Sequence, residues 1–285
     1  MKEYAKRGYL NSDFRLFHLK DMEKHDFEYH YHDFDKIIIF IRGSVDYLIE
    51  GRSYHLQPYD IVLVGQGDIH KPVIRKEEPY ERIVVYLSQS FIASYSGEDY
   101  DLNRCFLMSK KQHSHVLRMH THKKSMLLNT ITNLEHAFQD EGYASGLYRK
   151  VLFLEFMIHL NRAVNGNRLE YLDTAPLDPK IAEILEYIGQ HLTEPLRIDT
   201  ISEQFYTSRY HLMRQFKETT GYTIGSYIIY KRLLYARELM HTGKPITQIC
   251  YDCGFHDYSS FSRAYKKFFE ETPRETLKDL SKIKK

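Results

Sequence analysis

Two arginines, Arg214 and Arg263, stand 49 positions apart inside a repeated pattern and are well suited by type and spacing to a specific chemistry. Sliding the C-terminal part of the chain on itself by that distance lays Ser208 on Asp257, Leu212 on Phe261, Phe216 on Tyr265 and Lys217 on Lys266. Each copy holds a short apolar segment, IDTISEQF or ITQICYDC, then a tight connection, then a residue suited to open a helix. The side chains of Ser208 and Asp257 can accept hydrogen bonds from the free backbone N–H groups of a first helical turn, which fixes where that helix begins. Leu212 with Phe216, and Phe261 with Tyr265, lie four apart and anchor one face of each helix. Tyr210, Met213, Arg214 and Lys217 then fall on the open face of the first, and Ser259, Ser262, Arg263 and Lys266 on that of the second. Arginine reads guanine through two parallel hydrogen bonds in the DNA major groove, serine and tyrosine bond base edges or phosphates, and lysine meets backbone charge. One such unit alone reads better as an ordinary helical hairpin with a solvated basic face. Two copies matched in cap, anchor and arginine favour a pair of helix-turn-helix readers.

Between the copies, TIGSYIIYKRLLYARELMH reads as one helix from Thr223 to His241. At ~1.5 Å per residue it is a rod of ~27 Å, of the order of the ~34 Å that separates successive major grooves on one DNA face. The rest of the chain must carry these units. From Phe14 to Leu87 it reads as short strands, KIIIFIRG, VDYLIEG, RSYHL, QPYDIVLVGQGD and ERIVVYL, with Gly43, Gly51, Pro58 and Gly65 at turns, which predicts a sandwich or barrel. Residues 125–164 switch to helical periodicity, with Leu127, Leu128, Ile131, Leu134 and Phe138 on one stripe and Leu147, Val151, Leu154, Ile158 and Leu160 on another. Such a pair either packs against the barrel alone or joins two protomers through an outer stripe. Residues 166–177 carry Gly, Asn, Asp and Pro without periodicity and read as a linker between domains at 1–165 and 178–285.

Composition adds exclusions. Residues 177–285 hold 17 Lys and Arg against 14 Asp and Glu, and residues 1–176 hold 23 against 24, so charge balance is too even to argue nucleic-acid binding by itself. Three cysteines cannot build a disulfide framework; Cys250 and Cys253 form a lone CxxC that reads as small core residues. No apolar run reaches the ~20 residues of a membrane span, and MKEYAKRGYLNSDF lacks the apolar stretch of a secretory leader, so the expected location is cytoplasmic.

The segments SRYHLMRQFKETTGYT, YIIYKRLLYARELM and ITQICYDCGFHDYSSFSRAYKKFFEETPRE resemble the DNA-binding domain of AraC/XylS-type regulators over about 105 residues. Ala236-Arg237, Gly254-Phe255, the Phe-Ser-Arg at 261–263 and Thr272-Pro273-Arg274 stand where that family has them. The resemblance implies base contacts by positions matching Tyr210, Met213 and Arg214 and by positions around Ser259, Ser262 and Arg263, with Ser208, His211, Lys217 and Lys266 beside them. Tyr210 departs from the small polar residue common there.

Residues 30–43, HYHDFDKIIIFIRG, and 51–70, GRSYHLQPYDIVLVGQGDIH, resemble the two motifs of the cupin barrel. In metal-binding cupins two His at i and i+2, a Glu four further on and a later His share one metal; the matching residues here are His30, His32, Lys36 and His70. Alternation places the first three on one face of a strand. An ammonium is a poor metal ligand but can bond an anionic or polyhydroxyl molecule, and metal held by the three His alone remains open. The AraC resemblance implies an effector pocket lined from among His30, His32, Lys36, Arg42, Tyr47, His70 and Tyr86.

The fold expected is therefore α+β in two domains: an N-terminal cupin-like barrel with a helical dimerisation segment, and a C-terminal all-α double helix-turn-helix domain. The function expected is a ligand-responsive regulator, an activator by family resemblance, with no catalytic residues and no cofactor. Its expected partners are double-stranded DNA, a polar effector such as a sugar, RNA polymerase and a second copy of itself, with no membrane. The rivals are a metal-dependent cupin enzyme using His30, His32 and His70, and a constitutive regulator whose barrel binds proteins.

Overall fold

The computed structural model describes residues 10, 12–22, 26–76, 78–119, 125–166 and 169–283, which divide into two compact units, Met1–Ala175 and Pro176–Lys285. Among the described residues the first unit is built on nine strands, β1 (Phe14–Asp21), β2 (Asp35–Arg42), β3 (Val45–Ile49), β4 (Arg52–His55), β5 (Ile61–Val64), β6 (His70–Ile74), β7 (Tyr80–Leu87), β8 (Val116–Met119) and β9 (Leu169–Tyr171). Four helices accompany them: α1 (Gln89–Ala93), α2 (Arg104–Lys111), α3 (Ser125–Gln139) and α4 (Ser145–Asn165). One sheet runs β1-β7-β2-β5-β8-β9 and the other β4-β3-β6. The hairpin from β3 to β4 turns on Glu50 and Gly51, both at positive φ, the conformation that matches the twist of paired strands.

The run of isoleucines in β2 is apolar at successive positions because both its faces are covered. Ile38 and Phe40 pack with Tyr47, Tyr54 and Val84 between the two sheets. Ile37 and Ile39 pack on the other side with Phe91, Phe106, Leu134 and Phe156, under the helices. Residues 88–119 carry α1, α2 and β8, to which no element is assigned above, and residues 169–171 of the expected linker are β9, paired with β8 from Leu117↔Tyr171 to Met119↔Leu169. Polar composition marks where a chain turns but cannot exclude a three-residue edge strand. On α4 the stripe Leu147, Val151 and Ile158 faces outward, at 64, 53 and 39 % exposure, and of that expected set Leu160 alone is fully buried. The inward face is Leu152, Phe153, Phe156, Met157, Leu160 and Val164. Apolar residues surround this helix, so periodicity did not distinguish its two sides.

The second unit is all-helical: α5 (Pro179–Gln190), α6 (Ile198–Gln204), α7 (Arg209–Thr220), α8 (Ile224–Leu239) with a 3-10 turn at Met240–Thr242, α9 (Ile246–Asp252), α10 (Tyr258–Phe269) and α11 (Pro273–Ile283). Asp178 caps α5 and Thr223 caps α8. At 16 residues α8 is shorter than expected, a rod of about 24 Å, because its last turn tightens before Gly243 at φ 77°. Cys250 and Cys253 are fully buried beside Leu233, Phe261 and Tyr265. Burial pushes the Cys253 thiol up to about 12, so it has little thiolate character.

Candidate nucleic-acid interface and effector cavity

The helices α7 and α10 open where the sequence places them. The Ser208 hydroxyl accepts from the His211 N–H at 3.3 Å and the Asp257 carboxylate from the Ser260 N–H at 2.7 Å. Leu212, Phe216, Phe261 and Tyr265 are each buried to within 1 %, so α7 and α10 are held by the anchors expected. Tyr210 is 77 % exposed and Met213 39 %. Ser208, His211, Arg214 and Lys217 are exposed with them, as are Ser259, Arg263 and Lys266, while Ser262 is half-buried. Arg214 meets Glu218 at 3.9 Å, a loose and exposed pair that costs little to break. Among the described residues Arg263 donates only to the Ser259 carbonyl of its own helix, at 3.3 Å. Both guanidiniums therefore keep donors to offer. Arg209, which is not among the candidates above, is tied to Asp199 at 3.0 Å and joins α7 to α6.

A cavity of about 180 Å³ lies within the first unit. Five of the seven expected residues line it: His30, His32, Lys36, Tyr47 and Tyr86. His70 stands beside them, fully buried, its ring centroid 4.3 Å from that of His30. Arg42 is elsewhere, half exposed and paired with Glu81 at 2.7 Å. Strict alternation from Lys36 would aim Arg42 inward, but the register against β7 shifts between Phe40 and Arg42 and breaks the parity. His30 and His32 do not share a strand with Lys36, because β2 begins at Asp35; His30 forms a lone bridge with His70 instead. Tyr80 and Arg82 also line the cavity and were missed above, although counting back by twos from Tyr86 reaches both.

The His30 Nδ1 and His70 Nδ1 donate to the carbonyls of Glu28 and Asp68, each at 2.9 Å. That leaves Nε2 of each ring as an acceptor when neutral, and the His70 Nε2 is buried with no hydrogen-bond partner among the described residues. Burial, Lys36 and the neighbouring imidazoles hold the His70 pKa well below its ordinary value. One nitrogen from each of His30, His32 and His70 lies within 4.8 Å of the others, a grouping that can hold a metal ion. The carboxylate that completes a cupin ligand set is replaced by Lys36, so the residues present do not fit that set. Burial, with Arg82 nearby, lowers Lys36 to about 7.

Comparison with known proteins agrees with both halves of this geometry. The AraC-like ligand binding domain matches residues 16–154 and a helix-turn-helix domain matches residues 201–279. The HTH-type transcriptional activator RhaS of Enterobacter sp. (strain 638) is 27 % identical over 87 % of this chain and 87 % of its own length. RhaS of Escherichia coli is 25 % identical over 88 % of this chain and 87 % of its own. The chain belongs to the AraC family of transcriptional regulators. Among solved structures, an apo ToxT variant from Vibrio cholerae aligns with 94 % of this AraC-family chain and 97 % of its own, at 22 % identity and a TM-score of 0.40. The two family models make this AraC-family regulator a DNA-binding transcription factor with a ligand-binding domain, not an enzyme. Among the described residues no helix is long and apolar enough to cross a membrane.

Proposed function

We propose that the chain is a cytoplasmic, effector-responsive transcriptional activator that reads DNA with α7 and α10 and senses a small polar metabolite in the barrel cavity. The observation that carries the reading is the duplication itself: two capped helices, each buried through two anchors and each presenting an exposed arginine in its second turn. Base contacts fall to Tyr210, Met213, Arg214, Ser259, Ser262 and Arg263, and phosphate contacts to Ser208, His211, Lys217 and Lys266. Activation and a contact with RNA polymerase are supported by the activator names of the RhaS relatives. Effector binding changes whether two copies engage adjacent half-sites together, with the outward stripe of α4 as the surface that joins them.

Selection of genomic fragments by the purified full-length protein, at a fixed near-physiological salt concentration, tests this reading. The expected motif has two elements about one helical turn apart, ~10 base pairs, and its neighbouring genes name candidate effectors. Recovery of no motif, with or without a metabolite pool, would sink it. A motif recovered with equal affinity under both conditions, from a barrel that no metabolite stabilises, would favour a constitutive regulator.

A further inference from the structure

The cavity described above is charged in one direction only. Lys36 lines it at 9 % exposure, and its ammonium has no carboxylate or hydrogen-bond partner among the described residues; the ring of Tyr86 stands 6.0 Å away. Arg82, also 9 % exposed, is already neutralised by Asp21 at 2.6 Å and lies over the Tyr80 ring. No Asp or Glu is among the lining residues described. A desolvated cation facing a cavity without a counter-charge is unfavourable: the amine gives up its proton or is held charged by a ligand that supplies the counter-charge. The uncompensated charge is a single one, since Asp21 answers Arg82. Tyr47, Tyr80 and Tyr86 line the same space.

We propose that the effector is a small hydroxylated monocarboxylate of the sugar-acid class, its carboxylate paired with Lys36 and its hydroxyls bonded to the three tyrosines and to His30 and His32. A carboxylate suits the site better than a phosphate. The described lining comes from strands and the segment before β2, with no helix N-terminus, and a phosphate brings more charge than Lys36 alone can answer. The cavity, about 180 Å³, is smaller than sites that take drug-sized ligands and suits a compact one. The proposal rests on the effector reading given above and deepens it.

The test uses the full-length protein with probes matched in shape and differing in charge: glucuronate against glucose, galacturonate against galactose, and glucose 6-phosphate. Binding is read by titration calorimetry and thermal shift, and DNA affinity is measured in the same samples. At least one acid is expected to bind and to raise the melting temperature, with its neutral counterpart at least tenfold weaker. Lys36→Met, which keeps the stem and removes the charge, is expected to weaken acid binding by roughly ten- to a hundredfold while the variant stays folded by circular dichroism. Lys36→Gln, which retains a donor, separates loss of charge from loss of hydrogen bonding and should also bind weakly. The proposal is overturned if neither acid binds, if the neutral sugars or the phosphate bind better, or if acid affinity is unchanged in both variants. The effector reading fails separately: an acid bound through Lys36 that leaves DNA affinity unaltered would sink that reading, and of this proposal only the carboxylate site on Lys36 would stand. A neutral sugar that alters DNA affinity would do the reverse.

Discussion

Asp35 shows how a single residue in the barrel wall ties stability to pH. It is 2 % exposed, and burial raises its carboxyl from 3.8 to about 6 despite bonds from the Gln66 N–H at 2.6 Å and the Gln89 amide at 3.3 Å. The folded chain then binds a proton more readily than the unfolded one, so this group's contribution is greatest below pH 3.8 and is lost as pH rises through 6. Asn in its place can still accept both bonds. Asp35→Asn should therefore gain about 2–3 kcal/mol on the wild type between pH 4 and pH 7, measured as the difference in urea unfolding at the two pH values; a constant difference would refute it. The proposed recognition residues make a complementary prediction. Arg214→Ala and Arg263→Ala should each cost about 1–3 kcal/mol on the specific site and relax one base position. Lys217→Ala should weaken all sequences alike and flatten the salt dependence. Anisotropy titrations on specific and scrambled duplexes check both, and an equal loss on the two duplexes for either arginine would remove its base-reading role.

The two helix-turn-helix units are not identical elements. Their second helices align at a spacing of 49, but α6 and α9 align at 48, as do the two left-handed residues, Tyr206 at φ 49° and Gly254 at φ 91°. The second turn is thus one residue longer. At Gly254 a Cβ would stand 2.8 Å from the Arg232 Nε and 3.0 Å from the Leu192 carbonyl, which that Nε binds at 2.8 Å. Gly254→Ala should cost about 2 kcal/mol or more, from the left-handed backbone and the displaced arginine together. Tyr206→Gly removes the backbone strain alone and should stabilise by up to about 1 kcal/mol. Chemical denaturation of each variant decides, and opposite signs are the signature. These elements were legible because caps, anchors and turns act within a few residues of one another. The barrel was half legible: the family resemblance found five cavity residues, but a register shift carried Arg42 outward, and β9 reaches its place through long-range pairing with β8. Arg82 was overlooked for the opposite reason, because a charged residue inside a strand ERIVVYL reads as solvent-facing until Asp21 is seen beside it.

At the scale of the molecule, the question is what the outer face of α4 does. Leu147, Val151 and Ile158 are exposed together with Tyr148, at 49 %, on a helix whose other side is fully committed to the core. Scattered apolar residues on a surface need no explanation, but four on one helix face form the kind of patch that marks an association site. A symmetric pair would place the same face of two copies against each other, since a twofold interface is built from one self-complementary patch. Leu147→Glu with Val151→Glu puts like charges directly into that interface while removing nothing from the folded interior. The full-length protein should then run as a dimer and the double variant as a monomer by light scattering at the same concentration, with melting temperatures that differ only through dissociation. The variant should also lose the advantage of a two-half-site duplex over a single half-site, because that advantage comes from the linked second copy raising its own effective concentration. If the wild type is a monomer on DNA and in solution, or if the charged face leaves the dimer intact, α4 is a cover for the barrel and association lies elsewhere.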